Sequence, residues 1–142
     1  MAAAMAEDRL FNAAGNGNLK NVINLIKGVK NINLDARHQG HWTALHFAVQ
    51  NGHNQIVNCL IKNGADVNAE GKNQCTPLHM AIENSHINVV DSLIQIGRAD
   101  TEAKNAAGLT PLHLAIQLQK INIVNQLLEN GVEWPLNPVH CL

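Results

Sequence analysis

Tyrosine is absent from the 142 residues, and two Trp and two Phe are the only aromatic carbocycles and indoles. Such a core must be built from Ala, Val, Ile and Leu, which suits short helices stacked closely. Neither sign of charge is in excess: ten Lys and Arg stand against eleven Asp and Glu. That balance argues against electrostatic binding to nucleic acid or to an anionic membrane, both of which need clustered cations. No apolar run approaches the ~20 residues of a membrane helix. The Ala-rich start, Met1 to Ala6, lacks the basic flank and long apolar stretch of a signal peptide. Three cysteines, at 59, 75 and 141, form no C-x-x-C, so a disulfide framework is not expected. A non-secreted chain in the cytoplasm, or in the nucleus, is the expectation. G-x-S-x-G, a phosphate-binding glycine loop and H-E-x-x-H are all missing. The expectation is therefore no enzyme activity and no cofactor.

What the sequence does contain is a repeat. The stretch T-A-L-H-F-A-V-Q-N-G-H-N-Q-I-V-N-C-L-I from Thr43 returns as T-P-L-H-M-A-I-E-N-S-H-I-N-V-V-D-S-L-I from Thr76. It returns again as T-P-L-H-L-A-I-Q-L-Q-K-I-N-I-V-N-Q-L-L from Thr110. The spacings are 33 and then 34 residues. A fixed period of this size signals supersecondary units that stack and bury a shared core. Within each unit the Thr is placed as a helix N-cap, accepting from a backbone N–H two or three residues on. Pro77 and Pro111 then fall at the first helical position, where a fixed φ helps and a missing donor costs nothing. The first helix is short, about Ala44 to Asn51 in the first full copy. Gly52 breaks it, and a second helix runs to about Lys62, closed by Gly64 as a left-handed cap. The next copy has Ser85 in place of Gly52, and an extra residue near Arg98. A degenerate copy precedes these, from Glu7, with a second helix over Leu19 to Lys27. Its missing T-P-L-H start suits a terminal unit whose outer face meets water.

These residues resemble the ankyrin repeat: T-P-L-H-x-A, then (G/S)-H, an apolar second helix, and Gly64-Ala65-Asp66-Val67-Asn68-Ala69. The resemblance implies an all-α repeat, an ankyrin-type solenoid of helix-turn-helix units with projecting β-hairpin-like loops. It is read as a single domain over 1–142. The units are placed at about 7–36, 37–69, 70–103 and 104–134, with 135–142 as a C-terminal tail. The last helix keeps Ile121, Ile123, Val124, Leu127 and Leu128, some of them facing a neighbour that the sequence does not contain. Either the tail from Trp134 covers that face, or the chain is a piece of a longer array.

Eight histidines invite a metal reading. His46, His79 and His113 each lie three residues after the cap Thr, the slot of the reciprocal side chain in a capping box. The resemblance implies that these histidines bond the Thr and the neighbouring loop, and it places His53 and His86 structurally before the second helix. Zinc needs four convergent ligands at short spacing. His38 and His41 are close in sequence but have no Cys pair beside them. No metal site is expected.

The resemblance implies a protein partner, and no nucleic acid or membrane, bound by a monomer on the concave face of loop tips and first helices. By position, the tip residues are Arg37, His38, Gln39 and Trp42, then Glu70, Lys72, Asn73 and Cys75, then Lys104, Ala106, Ala107 and Leu109. The first-helix positions are Gln50 and Asn51, Glu83 and Asn84, and Gln117 and Leu118. Trp42 is the strongest anchor candidate, since Trp buries much area with few rotors. The alternative is that it packs on its own loop. An adaptor, an inhibitor or a targeting scaffold would each fit. So would a fragment of a larger scaffold, channel, toxin or effector. Leu60, Asp66, Val67 and Asn68 also resemble the pattern around ankyrin-repeat asparagines hydroxylated by a dioxygenase, which would make Asn68 a substrate. The alternative reading of Asn68 is a turn residue bonded to the backbone.

Overall fold

The computed structural model describes residues 2–134. Eight α-helices follow one another in antiparallel pairs: α1 (Ala2–Asn16) with α2 (Leu19–Gly28), α3 (Ala44–Gln50) with α4 (Asn54–Lys62), α5 (Pro77–Glu83) with α6 (Ile87–Gln95), and α7 (Pro111–Gln117) with α8 (Ile121–Glu129). The first helices pack in series, α1 on α3, α3 on α5 and α5 on α7. The second helices follow beside them, α2 on α4 and α4 on α6. One continuous core results, with Leu10, Leu45, Leu78 and Leu112 as its recurring layer and Leu60, Leu93 and Leu127 behind. The Ala that follows three residues after each of these first-helix leucines (Ala13, Ala48, Ala81, Ala115) is also buried, which lets adjacent backbones approach.

The first helix extends beyond the expected start at Glu7, reaching back to Ala2, and it buries Ala6 and Phe11. The connectors carry little regular pairing. Among the described residues there is one isolated antiparallel bridge, His38 to Trp42. Its counterparts are single bonds, Gly71 N–H to Cys75 O at 2.8 Å and Asn105 N–H to Leu109 O at 3.0 Å. The projecting loops are therefore hairpin-like turns without strands.

The extra residue between the third and fourth pairs has a local geometry. Gly64 closes α4 with φ of 97°. After α6, the left-handed position passes from glycine to Arg98, at φ 55°. Gly97 instead faces the preceding unit. A Cβ there would meet Val67 Cγ2 at 2.7 Å, so the position excludes any side chain.

Candidate partner-binding surface

Each surface position depends on how its unit is locked to the next. Thr43 and Thr76 cap α3 and α5, and each forms a full capping box with the His three residues on. The ring orientation follows from the bonds. His46 Nδ1 accepts from Thr43 N–H at 3.3 Å, leaving Nε2–H to donate to Cys75 O at 3.0 Å. His79 repeats this, with Nδ1 on Thr76 and Nε2 donating to Leu109 O at 2.9 Å. Thr110 Oγ1 and His113 Nδ1 lie 2.8 Å apart. Each box thus ties a helix start to the connector of the following unit. Burial pushes the His46 pKa down to about 4, with the Cys75 carbonyl opposing that shift and Arg37 adding to it. Burial lowers His79 as well, opposed by its bond to the Leu109 carbonyl.

A second lock lies at the turns between helices. His53 Nε2–H donates to Gly15 O at 3.1 Å, and His86 Nε2–H donates to Gln50 O at 2.9 Å. Both rings lie over a glycine of the preceding unit. A Cβ at Gly17 or Gly52 would come within 2.7 or 2.8 Å of the ring. In the last unit Lys120 takes the His position and Ser85 takes the glycine position. Lys120 Nζ donates to Ile82 O, Glu83 O and Ser85 Oγ, each at 2.7 Å. Ser85 stands out in the sequence as the replacement for Gly52, but its partner Lys120 does not. Their joint departure from the Gly–His pattern was the available signal.

A third lock runs along the connectors. Asp66 Oδ1 accepts from Asn68 N–H at 2.9 Å, and Asn68 Oδ1 accepts from Asp100 N–H of the next unit at 2.8 Å. Asp35 Oδ1 likewise accepts from Asp66 N–H at 2.7 Å. Asn68 is exposed but bonded on both sides.

With these locks placed, the expected surface residues divide. Gln50, Glu83 and Gln117 end α3, α5 and α7, and all three are exposed. They form a row one unit apart, with Leu118 beside it at 42% exposure. Gln39, Glu70, Lys72, Asn73 and Lys104 are exposed at the connectors, as are Ala106 and Ala107. Asn51 and Asn84 are exposed but turn their amides back onto the backbone, Asn51 to Gly15 O and Phe47 O, and Asn84 to Met80 O. Arg37 spans two connectors, its Nη1 donating to His41 O at 2.9 Å and to Glu70 O at 2.5 Å. His38 folds inward, edge-on to Phe11 and Phe47 at 5.4 and 5.6 Å.

Trp42 is half-buried, packed edge-to-face on His46 at 5.2 Å and pressed against Gly71. The local-packing alternative therefore describes part of its surface, and the rest faces outward. Leu109 is half-buried against the core. Cys75 is a correction. Expected at an exposed loop tip, it is 9% exposed, because the His46 bond to its carbonyl draws the connector inward. Burial pushes its thiol up to about 12, and the Glu83 carboxylate adds to the shift. A thiol so protonated is a poor nucleophile at neutral pH.

No group of three or more His, Cys, Asp or Glu among the described residues could hold a metal ion. No described helix is long and apolar enough to cross a membrane. Trp134, where the proposed covering tail starts, is half exposed, and the rest of that tail, with His140 and Cys141, lies outside the described residues.

The family model for ankyrin repeats matches residues 10–105 and 70–137. Curated relatives are similar over shorter stretches. A human "Ankyrin repeat domain-containing protein 40" is 37% identical over 60 residues, 42% of this chain and 16% of that protein. "Palmitoyltransferase akr1" of Schizosaccharomyces pombe is 47% identical over 62 residues, 44% of this chain and 10% of that protein. A human "Oxysterol-binding protein-related protein 1" is 38% identical over 71 residues, 44% of this chain and 8% of that protein. The matched stretch thus spans a sixth or less of each relative. Capped helix pairs at a 33–34-residue period, locked unit to unit by histidine, and a family match running from 10 to 137 together place this chain in the ankyrin-repeat family.

Proposed function

We propose that the chain is a protein–protein interaction module that binds its partner, as a monomer, on the face carrying the first-helix ends and the connector tips. The carrying observation is the division of labour between recurring and non-recurring residues. The recurring Thr, His, Leu and Asp or Asn are bonded between units or buried. Gln50, Glu83 and Gln117 present an amide, a carboxylate and an amide, are exposed and stand in register. A register of free, variable side chains on a rigid stack is what a specific partner can read. Trp42 adds a partly exposed indole on the connector before α3, and Leu118 an apolar contact beside Gln117 at the end of α7. Adaptor, inhibitor and targeting roles all use such a face. The short span of the relatives covered also favours a place within a larger scaffold.

The test is affinity capture from cell extract with the wild type and with a Gln50→Arg, Glu83→Arg, Gln117→Arg triple variant, both checked for unchanged helix content. The reading expects a discrete set of proteins lost by the variant. Capture of the same set by both would refute it.

A further inference from the structure

The second helices do not stack evenly. α4 and α6 lie against one another, whereas α8 stands off from α6. One residue position differs between the two junctions. Ser92 on α6 reaches the first residue of α4 directly, its Oγ–H donating to Asn54 Oδ1 at 2.7 Å. The matching position on α8 is Gln126, a longer side chain, whose Nε2–H donates to Ile87 O at 2.7 Å. Gln126 bridges the two helices, and a groove of about 600 Å³ opens between α6 and α8.

The lining of that groove has one sign. Asp91 and Glu129 contribute carboxylates, and no Lys, Arg or His lines it among the described residues. Asp91 is held in place by Asn130 Nδ2–H at 3.1 Å. Glu129 is the last residue of α8, where the negative end of the helix dipole disfavours an anion and favours a cation. Gln126, 8% exposed, forms part of the lining, and its Oε1 has no hydrogen-bond partner. A buried acceptor left unpaired is costly, and a donor in the groove would relieve it once the amide turns towards it. Ile87 lines the groove at 44% exposure, and Ile121, 70% exposed, lies in the adjoining depression that Lys120 also lines.

We propose that the α6–α8 groove is a second docking site, taking an extended partner segment that carries arginine or lysine between apolar residues. The cation sits between Asp91 and Glu129, a backbone or guanidinium N–H approaches Gln126 Oε1, and the flanking apolar side chains cover Ile87 and Ile121. The site lies on the second helices and stands or falls separately from the first-helix row.

The experiment titrates a fluorescein-labelled peptide of alternating leucine and arginine into the full chain. A control peptide replaces arginine by citrulline, which keeps shape and removes charge. Anisotropy gives affinity, and side-chain amide resonances report the location. The expected result is binding that shifts the Gln126 and Asn130 amides and weakens at least tenfold in Asp91→Asn/Glu129→Gln. The citrulline peptide should lose a similar factor. Glu129 is exposed, so Glu129→Lys alone provides a folded second variant, and it should abolish binding. The proposal is overturned if neither peptide binds, if both bind alike, if either variant binds the arginine peptide unchanged, or if the shifts fall on the ends of α3, α5 and α7. Sedimentation showing self-association through this groove would also overturn it, since the occupant would then be a second copy.

Discussion

Lys120 Nζ lies 2.7 Å from Ser85 Oγ, and this pair stands where the two preceding junctions have a histidine ring over a glycine. The two substitutions belong together. A ring over position 85 would meet the serine Cβ, as it would meet a Cβ at Gly17 or Gly52. A flexible lysine avoids that contact and places its charge on the carbonyl end of α5, where a cation is favoured. Lys120→His is expected to cost about 1–2 kcal/mol with Ser85 present, and Ser85→Gly in the same chain to recover most of it. Urea unfolding of the double-mutant cycle measures the coupling, and strict additivity would show that the pair is incidental.

The buried histidines make stability depend on pH. His46, 1% exposed, has its folded pKa lowered to about 4, while the unfolded chain has the ordinary value of 6.5. Between these values the unfolded state binds more protons, so stability falls as pH falls from 6.5 towards 4. The loss from His46 levels off at about 3 kcal/mol below that window. His79 shifts in the same direction and adds to the loss. Thermal melts should show a falling midpoint over this range. His46→Gln keeps a capping-box side chain and should flatten the fall, although its stability at neutral pH is lower.

Gly71 and Trp42 make a steric prediction. Gly71 has φ of −90°, which any residue adopts, so its need for glycine is one of space alone. A Cβ there would lie 2.5 Å from Trp42 Cζ3. Gly71→Ala is expected to destabilise by about 1–3 kcal/mol, the usual range for overpacking. In a Trp42→Ala background the same change should cost well under half as much, as read by chemical denaturation. Trp42→Ala itself should lower stability by losing the His46 and Gly71 contacts. Its effect on binding must therefore be read at matched folded fraction.

The connector ladder predicts a smaller effect. Asn68→Ala removes the acceptor for Asp100 N–H, at an exposed site where water can replace it. The expected cost is about 0.5–1.5 kcal/mol. Hydrogen exchange should speed up first at Asp100 and leave the α5 core unchanged.

The period and the caps were legible because Thr, His and Leu recur at the positions that stacking demands. The capping boxes at His46 and His79 follow from a three-residue spacing, and the structure adds what the Nε2 atoms reach. Burial of Cys75 was not legible, because it depends on that bond across 29 residues. Nor was the inward turn of His38, which is set by Phe11 of the degenerate unit and Phe47 of the next. The α6–α8 groove lay outside sequence reading for a similar reason. Its lining includes Gln126 bonded across to the Ile87 carbonyl, a contact that no periodicity encodes.

The central claim is that the exposed register on the first helices meets the partner. Hydrogen–deuterium exchange on the chain bound to its captured partner tests it most directly. The account predicts slowed exchange at the ends of α3, α5 and α7, around Gln50, Glu83 and Gln117, and at the connector around Trp42. A complex in which those segments exchange as fast as in the free chain would contradict it.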